Sequence, residues 1–260
     1  MAQARLEGTL DRLGRQTLQL LHETGAVALL LGRAARWIGR GTLEWPQTVR
    51  QMARVGVESI PIILVTGAFS GMVLAFQTTR QLVRLGGQGF VGGLVSLSLA
   101  REAAPVFTAV TVAGRIGAGF AAEIGTMAVT EQLDALRVLA TDPVRYLVVP
   151  RLLAGLVMLP VLTVFANAAG FVGGLLIAAS GGVSPPVYLA SVRRFLDAYD
   201  LVSGLGKAAA FGVIIALIGA YRGLVAAGGA EGVGRATTGA VVTAIVLILV
   251  CNYFLDLVLF

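Results

Sequence analysis

Four carboxylates, Glu123, Glu131, Asp134 and Asp142, fall within one polar stretch, Arg115 to Arg145, of a chain that is otherwise largely apolar. Long apolar runs flank the stretch on both sides. Acids placed there offer charge to a partner outside the bilayer. They do not offer a reaction, because no serine, histidine and acid constellation can be assembled around the single histidine, His22. A second group lies inside the apolar runs: Arg101, Glu102 and Lys207. A charge at mid-bilayer costs about 2.5–3.5 kcal/mol on insertion scales, so such residues face a partner or a water-filled cavity. Arg101 and Glu102 are neighbours in sequence and cannot face each other on a helix. Each needs its own partner, and Lys207 is a candidate for Glu102. These charges either hold helices together or line a path for an amphiphilic substrate. Gln77 and Glu58 are weaker candidates, Glu58 because Arg54 stands one turn away.

Other chemistry is excluded by residue type. One cysteine, Cys251, permits no intrachain disulfide, and one histidine with one cysteine makes no metal cluster. Cys251 lies in an apolar run and reads as a small buried hydrophobe. Gly87-Gln88-Gly89-Phe90-Val91-Gly92 fits a dinucleotide fingerprint but follows no strand. Gly206-Lys207 resembles the end of a phosphate-binding loop, yet Ala208 stands where Ser or Thr must hold magnesium. The chain therefore carries no nucleotide site or cofactor site of its own.

The elements that must position these residues are membrane helices. The 260 residues are 57% hydrophobic and 13% charged, against about 25% charged in soluble domains, with a mean hydropathy of +0.85. Five apolar stretches, roughly 55–79, 90–114, 146–180, 202–226 and 236–260, are each long enough to cross a bilayer. The third is longer than one span requires, so it tilts, kinks near Pro160 or extends beyond the membrane. Pro61 and Pro105 sit inside other spans, where each frees a carbonyl that a neighbouring helix can satisfy. Small-residue pairs Gly67/Gly71, Gly170/Gly174 and Gly219/Gly223 predict close helix packing. No internal repeat is evident, which weakens an inverted-repeat carrier.

Residues 1–54 read as one or two amphipathic helices in the membrane interface. Leu6, Leu10 and Leu13 recur at helical spacing with Arg5, Arg12 and Arg15 between them, and Arg33, Arg36 and Arg40 follow beside Trp37 and Trp45. No cleavable signal peptide or transit peptide is apparent. Basic residues set the orientation. With the N-terminus in the cytoplasm, fourteen of the twenty basic residues fall in inside segments, and only Arg80, Arg84, Arg193 and Arg194 fall outside. The polar stretch is then cytoplasmic and the C-terminus periplasmic. Within it, Thr130 to Leu139 predicts a short helix with Leu133, Leu136 and Leu139 on one face. Thr141-Asp142-Pro143 reads as the start of the next helix.

The segment Glu123 to Leu136, centred on Thr130-Glu131-Gln132-Leu133-Asp134-Ala135-Leu136, resembles the signature of the MlaE (YrbE-type) permease family. Gly71-Met72-Val73-Leu74 with Gln77, Leu99-Ala100-Arg101-Glu102 with Pro105, Ala113-Gly114-Arg115, Asp142-Pro143 with Pro150-Arg151, and Gly234-Arg235-Ala236-Thr237-Thr238 extend the likeness over about 55–260. Ala103-Ala104 departs from the Leu-Gly common in the family, and Gly239 stands where relatives often carry a polar or basic residue. The resemblance implies an all-α integral membrane fold. An N-terminal interfacial region (1–54) would precede a five-span permease domain (55–260), with a cytoplasmic coupling helix between the second and third spans. It implies a permease subunit of an ABC transporter that moves phospholipid or a related lipid. The permease would be a non-catalytic homodimer in a bacterial inner membrane, with a separate ATPase subunit, an MCE-domain lipid-binding protein and, in some systems, a STAS-domain protein. It would make Glu123, Thr126, Met127, Thr130, Glu131, Gln132 and Asp134 the ATPase-coupling residues. Leu74, Gln77, Arg101, Glu102 and Lys207 would line the lipid path. The competing reading is a self-contained secondary carrier or channel that uses its intramembrane charges.

Overall fold

Apolar runs of this length have one stable solution in lipid, the helix, because every backbone amide is satisfied within the segment. The computed structural model describes residues 2–260, with the side chains of 2–13, 15, 16, 19 and 20 outside the description. The expected amphipathic pattern of Leu6, Leu10 and Leu13 with Arg5, Arg12 and Arg15 falls among those undescribed side chains. Among the described residues every regular element is helical.

Helix α1 spans Ala2–Gly39 and α2 spans Trp45–Val55. A 3-10 turn at Val57–Ser59 joins α2 to α3, Ile60–Arg84. The next four helices are α4 (Val91–Ser98), α5 (Ala104–Val112), α6 (Ala118–Val129) and α7 (Gln132–Val138). They are followed by α8 (Val149–Ser180), α9 (Pro185–Phe195), α10 (Ala198–Leu224) and α11 (Gly229–Leu259). Three π-turns, Leu99–Ala103, Ala113–Gly117 and Val144–Val148, bridge α4 to α5, α5 to α6 and the chain into α8.

Five helical stretches are long and apolar enough to cross a membrane: Trp45–Arg84, Gln88–Val129, Val144–Ser180, Ala198–Leu224 and Gly229–Leu259. Each expected span is present. The first two run well beyond their expected ends. The polar stretch was expected to begin a separate element near Arg115, but its first half continues the second span as α6. Phe120, Ala121, Ile124 and Gly125 explain this, since they recur at helical spacing and are buried. α8 runs unbroken through Pro160.

Close backbone approach holds the bundle together. A methyl group on Gly71 would collide with the carbonyl of Gly170, so α3 and α8 meet at bare backbone. Gly155 and Gly212 play the same part between α8 and α10, and the sequence pattern did not single them out. Gly67 packs on Ala166, Gly174 on Tyr188, Gly219 on Gly117 and Gly223 on Ile124. The three expected small-residue pairs thus all serve packing within one chain. Outside this core, Phe69 and Phe76 on α3 and Val246, Leu249, Tyr253, Phe254 and Leu257 on α11 are exposed. Apolar surface so arranged suits lipid or another helix, not water.

The antiparallel helices give the bundle two ends. One carries the α6–α7 turn, the start of α8 and the α10–α11 turn. The other carries the α3–α4 turn, α9, the start of α10 and the end of α11. α1 crosses the first end. Its Glu23 reaches Arg222 near the end of α10, and its Trp37 reaches Asp142 before α8.

Candidate functional site

Near the second end, the π-turn Leu99–Ala103, α10 and α11 enclose an ion cluster around Lys207, whose side chain is fully buried. Its ammonium donates to Glu102 Oε1 at 2.5 Å, to Asp256 Oδ1 at 2.7 Å and to the Arg101 carbonyl at 2.8 Å. The last contact has a local cause. Pro105 has no N–H to give the carbonyl four residues back, and Lys207 supplies a donor. Asn252 bridges the two acids, donating to Glu102 Oε2 at 2.8 Å and to Asp256 Oδ2 at 3.3 Å. Arg101 turns the other way, as its adjacency to Glu102 requires. Its Nε and Nη2 both meet Asp200 Oδ1, at 2.7 and 2.6 Å. The other oxygen of Asp200 accepts from the backbone N–H of Asp197, half of a capping box that starts α10. One carboxylate thus fixes both a helix start and an arginine.

The cluster is not sealed. A cavity of about 310 Å³ opens beside it, lined by Leu97, Ser98, Arg101, Glu102, Asp256 and Phe260. Glu102 is 43% exposed and Asp256 29%, so two acids border that space while Lys207 is hidden behind them. The Phe260 ring lies 4.1 Å below the Arg101 guanidinium. The π-turn Leu99–Ala103 sets this geometry by widening the helix at Arg101 and Glu102. Such turns are frequent at functional sites.

The first end carries a different arrangement. Glu123 on α6 accepts from Arg54 on α2 at 2.5 Å, and its other oxygen lies 2.7 Å from Arg151 on α8. Arg151 is fully buried, donates to the Leu147 carbonyl and stands over the Phe120 ring. It lies near the start of the third span, inside the bundle. Glu58 does not pair with Arg54. It meets Arg115 at 2.9 Å, and Arg115 also donates to Ser59. Arg54 is already engaged by Glu123.

α6 ends at Thr130, and Glu131 takes a left-handed conformation, φ 60°, to reverse the chain into α7. Leu133 pins α7 to the bundle and Leu136 is half-buried. Leu139 was expected on the same face but is 74% exposed. α7 stops at Val138, and Ala140 at φ 55° turns the chain away before Leu139 can return to the core. Glu131, Gln132 and Asp134 are exposed beside Val138 and Leu139, and Asp134 holds Arg137 at 2.6 Å. Thr126 and Thr130 donate to carbonyls one turn back, while Met127 packs against the core. Asp142 caps the turn into α8 through the Val144 amide, as expected from Thr141-Asp142-Pro143.

The structure thus unites Arg101, Glu102 and Lys207 but leaves Gln77 exposed on α3. Leu74 packs with the adjoining apolar cluster that includes Val95, Leu99 and Ala103. Sequence reasoning missed Asp200, Asn252 and Asp256. Asp256 carried a usable signal, a carboxylate inside the last apolar run, four residues after Asn252.

Five apolar helices around a buried ion cluster, with a short charged helix displayed at one end, are the marks of a multi-pass membrane protein of the transport class. The Permease MlaE family model matches residues 48–258, and the chain belongs to this family of ABC transporter permeases. A probable ABC transporter permease protein of Synechocystis sp. is 47% identical over 252 residues, covering 96% of each chain. The intermembrane phospholipid transport system permease protein MlaE of Haemophilus influenzae is 35% identical over 255 residues, 96% of this chain and 97% of that one. The chloroplastic protein trigalactosyldiacylglycerol 1 of Arabidopsis thaliana is 39% identical over 232 residues, 89% of this chain and 66% of that protein.

Proposed function

We propose that this permease carries phospholipid or a related lipid through the membrane, with a separate ATPase supplying the energy and a lipid-binding MCE-domain protein exchanging the lipid on the far side. The reading includes a homodimer, a bacterial inner membrane and, where the system contains one, a STAS-domain partner. It puts α7 and the N-terminus in the cytoplasm and the C-terminus in the periplasm, in keeping with the distribution of basic residues. The permease does no chemistry itself.

The observation that carries the proposal is the construction of α7. A seven-residue helix anchored by Leu133 alone would be a weak element. Here it follows α6 across the turn at Thr130 and Glu131, and α6 is tied to α2 and α8 through Arg54, Glu123 and Arg151. Force applied to the exposed Glu131, Gln132, Asp134 and Val138 therefore reaches three helices. Glu123 serves this as an internal tie, and Glu131, Gln132 and Asp134 form the docking face. At the other end, the cavity beside Glu102 and Arg101 offers both charge signs to a zwitterionic headgroup. Neighbouring Leu97 and Phe260 are suited to acyl chains.

Charge reversal tests the docking role. Glu131→Arg combined with Asp134→Arg is expected to abolish lipid transport and co-purification of the ATPase, with the thermal transition of the permease unchanged. Retention of the ATPase by that variant would remove α7 from the interface. Mass spectrometry of lipid bound to the purified permease tests the cargo. Wild type should retain phospholipid, and Glu102→Arg should retain less while still assembling with the ATPase.

A further inference from the structure

Three arginines on α1 converge on one cleft and carry no acid of their own. Arg33, Arg36 and Arg40 lie at the i, i+3, i+7 spacing of a single helical stripe, about 10 Å long at 1.5 Å per residue. Together with Trp37 and Asp142 they line a cavity of about 230 Å³. Arg54, Arg115, Arg145 and Arg222 at this end each meet a carboxylate, of Glu123, Glu58, Glu44 and Glu23 respectively, whereas Arg50 donates to the Pro46 carbonyl of its own helix and stands outside the cleft. Among the described residues, Arg33, Arg36 and Arg40 form no ion pair. Arg36 donates weakly to the carbonyl of Gly32 in its own helix, at 3.4 Å, and Arg40 stands 5.1 Å from the Trp37 ring centroid.

Asp142, the one acid in the cleft, is already committed. Its Oδ2 accepts from Trp37 Nε1 at 2.9 Å and its Oδ1 from the Val144 amide at 2.8 Å. These contacts fix the indole and the turn into α8, and leave the three exposed arginines without a carboxylate partner among the described residues. The cleft therefore has a net positive charge, a rigid wall and planar donors suited to phosphate oxygens.

We propose that this cleft binds the phosphate of an anionic phospholipid at the membrane surface. α1 crosses the end of the bundle where the apolar spans begin and end, with Trp37 and Trp45 close by, which is the depth of lipid headgroups. Basic pockets at such a depth attract anionic headgroups. The cleft lies at the opposite end of the bundle from Lys207, so a lipid held here is separate from one beside Glu102. Its effect is to fix α1 against the turn that leads from α7 into α8.

The test is native mass spectrometry of the full-length permease in detergent with equimolar phosphatidylglycerol and phosphatidylcholine. Wild type is expected to prefer phosphatidylglycerol roughly tenfold, and Arg33→Gln/Arg36→Gln/Arg40→Gln to bring the ratio near one. Arg36→Gln alone, which removes only exposed atoms, should lower the preference about threefold and guards against a folding defect in the triple variant. Arg193→Gln/Arg194→Gln on α9 should leave the preference intact. Equal retention of both lipids by wild type, or an unchanged ratio in the triple variant, would overturn the proposal. So would an equal loss in the α9 variant. Displacement of phosphatidylglycerol by millimolar inorganic phosphate would make the ligand a free anion and likewise overturn the assignment to lipid.

Discussion

Lys207 is a single buried cation with three acceptors on two other helices, and its energetics are asymmetric. Replacing the whole cluster with apolar groups could be nearly neutral, but removing one member strands the others. Lys207→Met leaves Glu102 and Asp256 without their cation and the Arg101 carbonyl without a donor. Glu102 and Asp256 are partly exposed, so water takes up part of their charge and the expected loss is about 1–3 kcal/mol, below that of a sealed pair and measurable as a lower midpoint in detergent unfolding. Adding Glu102→Gln to that variant should recover part of the loss, because Asn252 can still hold the amide. A Lys207→Met protein as stable as wild type would show that water entering from the cavity replaces the ammonium completely. Arg101, Glu102 and Lys207 were legible in the sequence because charges in apolar runs stand out. Their pairing was half legible: adjacency forced Arg101 and Glu102 apart, but nothing in the pattern indicated that Asp200, 99 positions away, would receive Arg101. Asp200 sits in a helix start, where an acid already has a local reason to be.

Elements were most legible where hydropathy alone decides them, and least where a helix outlives its apolar run. The polar residues after Arg115 suggested a break. Yet α6 continues, because Phe120, Ala121 and Ile124 are buried and its one charge, Glu123, is paired with Arg54 and Arg151. The reversal at Glu131 was not legible, since a non-glycine residue at φ 60° carries no compositional mark. That conformation costs about 1–2 kcal/mol for an L-residue, and it is retained at an exposed glutamate. Glu131→Gly therefore separates backbone from charge. It is expected to keep or slightly raise stability, by up to about 1 kcal/mol, while weakening ATPase co-purification. Unimpaired co-purification would confine the proposed docking face to Gln132, Asp134 and Val138. Glycine contacts give a second test at this scale. Gly71→Ala puts a methyl group against the Gly170 carbonyl and should destabilise by about 1–3 kcal/mol as α3 and α8 separate. Gly206→Ala, with open space around it, should be neutral or mildly stabilising by circular-dichroism melting.

Across the whole molecule, the Lys207 cluster and α7 occupy opposite ends of one nearly continuous helical path from Gln88 to Val129, interrupted only by two π-turns. Near the α7 end, Glu123 joins that path to α2 and α8, so motion of α7 cannot leave α8 behind while the ion pairs hold. Glu123→Leu breaks the tie and strands the fully buried Arg151. Arg151 keeps the Leu147 carbonyl and the Phe120 face, so the expected destabilisation is about 3 kcal/mol, at the low end for a broken buried pair. Arg151→Met in the same chain removes the stranded charge and should restore most of that stability. Transport should respond differently. With the tie to α8 absent in both variants, ATP hydrolysis by the assembled complex is expected to continue while lipid transfer falls, in the restabilised double variant as much as in the single one. Two measurements on each variant, the unfolding midpoint and lipid transferred per ATP hydrolysed, separate the two roles of Glu123. If stability and transport recover together, the ion pair serves the fold alone, and the proposed coupling of α7 to transport does not pass through Glu123.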